Sequence, residues 1–188
     1  MSQRNVGFVR KPLRVRERTS RTLGQRLGIR FPWWVATQAA LMARLPPTSR
    51  LRSIAVLRGT RLGMEAFNRR DVDAAVLAAH SDFETNPPRE FVELGFFESS
   101  YRGPEGFRKY MSTWSEVLGP ELAVQPAELI DLGDRVVLLA DLVGRAQASG
   151  APFTGKIATV STLKDGRATG VQMYLAHAEA LEAVGLPE

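Results

Sequence analysis

Cysteine is absent from the 188-residue chain, so disulfides and thiolate metal ligands are excluded. Histidine is nearly absent: His80 and His177 are too few for a histidine-rich metal site, and no metal or cofactor is expected. Acid is missing from one end. Residues 1 to 62 carry 14 lysines and arginines against Glu17 alone, a net +13. Residues 63 to 188 carry 11 against 19 acids, a net −8, and the two parts sum to +5. Basicity therefore belongs to the N-terminal extension, which argues against nucleic-acid binding by the whole protein. Lysine is scarce, 4 against 21 arginines, an imbalance read as genome composition rather than phosphate binding. Long apolar runs are missing too. The longest, WWVATQAALMA at 33 to 43, is too short to cross ~30 Å of hydrocarbon and begins too late for a secretory signal, so a cytoplasmic protein is expected.

What is present suffices for one core. With 44% hydrophobic residues, the length suits a single domain, residues 48–188, preceded by a basic extension, residues 1–47, that holds a short tryptophan-containing helix. Residues 1 to 30 lack a sustained apolar period and read as flexible or only conditionally ordered. Pro32 suits the first turn of a helix to about Leu45, ended by Pro46 and Pro47. From Thr48 or Ser49 a second helix runs to about Asn68, with Leu51, Ile54, Ala55, Arg58, Leu62 and Ala66 on one face. Asp71 caps a third helix, VDAAVLAAH, forming a hairpin with the second.

The period then changes to two. DFETN reads as a short strand, and FVELGFF at 91 to 97 is either strand or a loop over the core. In YRGPEGFRKYMSTW, Pro104 sits at a helix start, and Phe107, Tyr110, Met111 and Trp114 recur on one helical face. Gly119 and Pro120 end that helix. Strands follow at about 122 to 131, 135 to 147 and 152 to 164, then the hairpin signal KDGR, the strand TGVQMYL and the short helix AEALEAVG. Strand 135 to 147 is apolar on both faces, with Val136, Leu138, Ala140 and Leu142 on one and Val137, Leu139 and Val143 on the other. The second face is expected to meet another subunit. RGPEGF matches neither a Walker loop nor a dinucleotide-binding fingerprint.

EAFNRRDVDAAVLAAHSDFE, YRGPEGFRKY, ELIDLGDRVVLL, TLKDGRATGVQMYL and AEALEAVGL, in this order over about residues 50 to 188, resemble the SnoaL-like group of the nuclear transport factor 2-like superfamily. The resemblance implies an α+β fold, a cone-shaped curved antiparallel sheet wrapped around an N-terminal helix hairpin and a third helix, with an apolar pocket and a homodimer formed through the sheet. The implied ligand is a small apolar molecule. Its walls would be Phe107, Tyr110, Met111 and Trp114, joined by Phe67 and Tyr101 and, from the sheet, by Thr159 and Met173. Ordinary core packing is the competing reading of these aromatics.

Members of this superfamily include cyclases, isomerases, epoxide hydrolases, dehydratases and proteins that only bind. The resemblance places Gly63, Pro87 and Thr159 where an isomerase would carry a tyrosine, a base and an inward acid or histidine, so isomerase chemistry of that kind is disfavoured. A cyclase would need a carboxylate and a histidine in the pocket. The candidate catalytic residues are His80, beside Asp82 and Glu84, and Asp141. His80 is alternatively a helix-terminal histidine favoured by the dipole. Asp141 is either an inward acid or an outward residue paired with an arginine across the dimer, and the outward reading is preferred. His177 is expected to be solvent-exposed. Asp141, Arg102 and Asp131 supply the residue types for epoxide hydrolysis, but no spacing brings them together. For the extension, three readings stand: contact with an anionic membrane surface, contact with nucleic acid, or a tryptophan helix folded back to extend the core, which is the one expected.

Overall fold

The computed structural model describes residues 8–15, 18–145 and 150–187. In chain order the elements are β1 (Val9–Pro12), α1 (Leu23–Arg30), α2 (Pro32–Ala43), α3 (Arg50–Asn68), α4 (Val72–Ala75), β2 (Ala79–Asn86) and α5 (Arg89–Glu93). There follow β3 (Tyr101–Arg102), α6 (Gly103–Leu118), β4 (Ala123–Asp131), β5 (Arg135–Arg145), β6 (Pro152–Lys164), β7 (Arg167–Tyr174) and α7 (His177–Glu182). The seven strands form one curved sheet in the order β1-β4-β5-β6-β7-β2-β3. Every neighbouring pair is antiparallel except β2 and β7, which run parallel. Register shifts at Pro126/Glu128 in β4 and Thr162/Leu163 in β6 interrupt the ladder, and such bulges bend a sheet locally.

The expected α+β architecture is present, and its local causes are in the sequence. Asp165 and Gly166, both with positive φ (51° and 72°), make the two-residue turn between β6 and β7. Proline in the first turn and the aromatic stripe build α6, and Gly119 at φ 94° ends it. The helix lies close to β3: a methyl group on Gly106 would sit 2.9 Å from the Tyr101 carbonyl carbon. At the end of α3 the Asn68 amide acts as a short strand, accepting from the Val124 N–H and donating to the Val124 carbonyl, both at 2.8 Å.

Several expectations are corrected. Part of the N-terminal segment is ordered: β1 pairs with β4, Leu13 is buried, and α1 begins with a capping box in which Thr22 and Gln25 satisfy each other's backbone N–H groups. Residues 1–7 and 16–17 of that segment, and 146 and 147 of the strand read as 135 to 147, lie outside the described residues. The third helix is a single turn, and the LAAH expected to continue it leads into β2, where Arg167 of β7 donates to the Ala79 carbonyl. On α3, Leu51 and Ile54 point outward at 66% and 61% exposure, while Arg52 and Ser53 are buried. Arg52 turns inward because Asp131 awaits it: Nε and Nη2 donate to the two carboxylate oxygens at 2.8 and 2.9 Å. Its Nη1 also donates to the carbonyls of Ala43 and Leu45, so one side chain joins the α2–α3 linker to β4.

The second apolar face of β5 has a partner within the chain. Val137 and Leu139 pack with Ile130, Ala158 and Val160 under Ala180 and Leu181 of α7. Beyond α7 the same face is polar, carrying Gln125, Asp141 and Lys156. His177, at the start of α7, is half-buried and donates its Nε2–H to the Ala140 carbonyl at 3.0 Å. The tryptophan helix does sit on the domain, but it buries none of its own residues and so does not extend the core as expected. The Ala39 backbone rests on the Gly166 turn and Val35 approaches Gly28 of α1, leaving Trp33 and Trp34 at 64% and 51% exposure.

Candidate functional site

The concave face of the sheet and α6 enclose an aromatic cluster. α6 presents Tyr110, Met111 and Trp114 at a spacing of one helical turn, each buried. β3 adds Tyr101, whose ring lies 5.4 Å from that of Tyr110. α3 contributes Phe67, and the segment after β2 contributes Phe91 and Phe97, stacked at 5.8 Å and 14°. Phe97 approaches Trp114 to 4.9 Å and Phe91 to 5.6 Å, so this pair closes the cone over the indole. From the sheet come Val124, Ala140, Leu142, Ile157 and Met173.

Polar atoms inside this apolar setting are few, and their partners decide what the cone can do. The Tyr110 hydroxyl donates to the Met173 sulfur at 3.4 Å. Burial pushes the Tyr110 phenol far above its ordinary value of 10, opposed in part by the nearby Trp114 N–H, so the phenol stays protonated at neutral pH. The Tyr101 hydroxyl accepts from the Glu98 N–H at 3.0 Å. Two groups are left over. Trp114 Nε1 lies beside Tyr110 but meets no acceptor in hydrogen-bonding geometry, and the Thr85 hydroxyl, opposite Tyr101 in the β2–β3 ladder, is buried without a partner. Leaving a buried donor unpaired costs about 1–3 kcal/mol.

The candidate ligand residues come together. Phe67, Tyr101, Tyr110, Met111, Trp114 and Met173 belong to one cluster, with Phe107 packed against it. Thr159 lies between Leu138 and Met173 on the concave face. The candidate catalytic residues do not join them. His80 lies in β2, with its ring 42% exposed and bonded to the exposed Asp82, so the helix-terminal reading does not apply. Asp141 points outward, as preferred, but its partner is Lys156 of the neighbouring strand at 2.7 Å rather than an arginine of another subunit. Arg102, in turn, reaches Glu84. Among the described residues the buried carboxylates are Glu65 and Asp131. Each faces arginine, Glu65 with Arg18 at 3.3 Å and Asp131 with Arg52.

Sequence reasoning missed Phe97 and the unpaired Thr85. Phe97 falls in an irregular segment without a period, and Thr85 looks like any strand threonine until its neighbours are known. It also missed a groove of about 580 Å³ beside the α3–α4 connection, lined by Arg21, Arg69, Arg70, Asp71, Asp73 and Arg108 among others. There Arg21 grips Asp71 with two bonds of 2.8 and 2.7 Å, and Arg69 reaches the same carboxylate at 3.0 Å. These bonds hold the Asp71 carboxyl down at about 2, and Asp71 in turn accepts the Ala74 N–H at the start of α4. The groove is thus a charge-matched seam joining the extension to the domain.

Comparison with known proteins agrees with this architecture. The family model described as SnoaL-like domain matches residues 61–171. No curated relative matches the chain. Among solved structures, TerC co-crystallised with polyporic acid superposes with a TM-score of 0.57 at 23% identity, covering 66% of this chain and 94% of its own. An NTF2-like protein of unknown function from Burkholderia pseudomallei K96243 gives 0.56 at 23% identity, covering 68% and 95%. A protein with a ketosteroid isomerase-like fold from Catenulispora acidiphila DSM 44928, in complex with trimethylamine, gives 0.52 at 17%, covering 69% and 93%. At these identities the likeness is one of fold.

Proposed function

The chain belongs to the SnoaL-like domain family, and from that membership we propose that it binds a small, largely apolar molecule within its cone without turning it over. The observation that carries this reading is the unpaired buried Trp114 Nε1–H in a cluster of aromatic and aliphatic surface, with the Thr85 hydroxyl, opposite Tyr101 in the β2–β3 ladder, also buried and unpaired. A ligand acceptor within reach of the indole N–H would relieve it, and the ligand's apolar body would replace contacts now made by Phe91 and Phe97. Phe91 lies in the short helix α5 and Phe97 in the turn after it, and between them Leu94 and Phe96 are exposed at 66% and 51%.

The same geometry argues against acid/base turnover of the cyclase, isomerase or dehydratase type. Proton transfer needs a group within about 3 Å of the substrate atom, and both buried carboxylates among the described residues are engaged by arginine. His80 and Asp141 lie on solvent-facing surfaces. Native mass spectrometry of gently purified full-length protein tests the proposal: a retained small-molecule mass is expected, lost on Trp114→Phe. If no adduct appears and Trp114→Phe melts at or above the wild type, the cone is simply core. Turnover of a retained compound that depends on His80 or Asp141 would instead restore the catalytic reading.

A further inference from the structure

Among the described residues, most of the exposed large apolar side chains lie on α1, on α2 or at their junction. Leu23 and Leu27 are 77% and 58% exposed and stand one turn apart on α1. Phe31 follows, and on α2 Trp33, Trp34 and Leu41 share one arc of the helix, opposite the side on which Val35 meets α1 and Ala39 meets the Gly166 turn. Such a surface is costly to leave in water. Its charge is equally one-sided. Residues 18 to 64 hold nine arginines and no lysine, aspartate or glutamate. Arg18, Arg21, Arg52 and Arg61 are engaged by carboxylates of the domain. Arg26, Arg30, Arg44, Arg50 and Arg58 are exposed and form no ion pair among the described residues.

We infer that the outer surface of α1 and α2 docks peripherally on an anionic lipid bilayer. Tryptophan and leucine suit the boundary between headgroups and hydrocarbon, where the indole keeps its N–H wet and the leucines leave water. Unpaired arginines flanking them reach lipid phosphates, bidentately where the geometry allows. No described helix is long and apolar enough to cross a membrane, so the contact is interfacial. The remainder of the chain, net −8 over residues 63 to 188, is repelled by the same surface and turned away from it, which orients the molecule with its extension down. A nucleic acid would engage the arginines and stack on the tryptophans, but it would leave Leu23, Leu27 and Leu41 without a role.

Co-sedimentation of the full-length protein with phosphatidylcholine vesicles, with and without phosphatidylglycerol, tests the inference. Binding is expected to the anionic vesicles alone, weakening with salt. It should fall roughly tenfold or more in Trp33→Ala/Trp34→Ala and again in Arg26→Gln/Arg30→Gln/Arg44→Gln. Both variants change exposed side chains, so their melting temperatures should match the wild type, and that match separates lost docking from lost folding. Three results overturn the inference: protein that stays in the supernatant with both vesicles; vesicle binding unchanged by the tryptophan pair; or, without vesicle binding, arginine-dependent RNA binding or self-association abolished by Trp33→Ala/Trp34→Ala. The two arms of the third result assign the surface to nucleic acid or to a second copy, respectively.

Discussion

Removing Arg52 should cost this protein more than removing any surface arginine. Its guanidinium and the Asp131 carboxylate are 4% and 5% exposed, so the pair belongs to the buried regime and not to the surface one, where a pair is worth about 1 kcal/mol or less. Arg52→Met retains the aliphatic stem but leaves the carboxylate facing only the Gly133 N–H at 2.9 Å. It also strips the Ala43 and Leu45 carbonyls of a donor. Breaking a buried pair from one side costs about 3–5 kcal/mol. At about 2–4 °C per kcal/mol for a chain of this size, thermal unfolding followed by circular dichroism should show a drop of roughly 6–20 °C. Arg52→Met/Asp131→Leu should recover a large part of that loss, because the stranded charge is gone. A single variant melting within about 2 °C of wild type, or a double variant no better than the single, would refute the reasoning.

Two further outcomes follow from the way the extension is attached. Asp71 is held at about 2 against an ordinary 3.8, chiefly by Arg21, so its carboxylate is favoured in the folded state. The stability it supplies is complete above about pH 4 and drains away as the pH falls toward 2; the gap in urea midpoint between wild type and Asp71→Asn should therefore narrow below about pH 4, and a pH-independent gap would contradict it. At the other attachment, Gly166→Ala combines a left-handed backbone with a methyl that overlaps the Ala39 carbonyl, and should cost roughly 2–3 kcal/mol while loosening α2. Faster tryptic cleavage after Arg44 reports that loosening; an unchanged cleavage rate would argue against it.

How far the sequence could be read depended on whether the cause of each feature was local. The α6 stripe, the Asp165–Gly166 turn and the meander from β4 to β7 rest on spacings within a few residues, and they stand where the pattern put them. The face of α3 was misjudged because Arg52 points inward on account of Asp131, 79 residues away, and no helical period carries that information. His80 was placed on a helix for a similar reason. LAAH has helical propensity, and only the pairing of β2 with β7 draws it out. The cluster of Phe67, Tyr101, Tyr110 and Trp114 was foreseen through the family resemblance. That Phe91 and Phe97 pack onto it, and that the Thr85 hydroxyl opposite Tyr101 is unpaired, depends on how α5 and the turns around it pack, which no local period encodes.

The strand order has a consequence for synthesis. Among the described residues, β2 is joined to the sheet only through β7, and β3 only through β2. A ribosome therefore releases residues 79 to 102 long before the strand that receives them exists. Meanwhile β4, β5 and β6 can already pair with one another as a meander of consecutive hairpins. Until β7 emerges, Phe83 of β2 and Tyr101 of β3 have no sheet edge to close against. A nascent chain stalled within residues 164 to 170 would present that greasy surface to chaperones, and the last hairpin, set by Asp165 and Gly166, would end the wait.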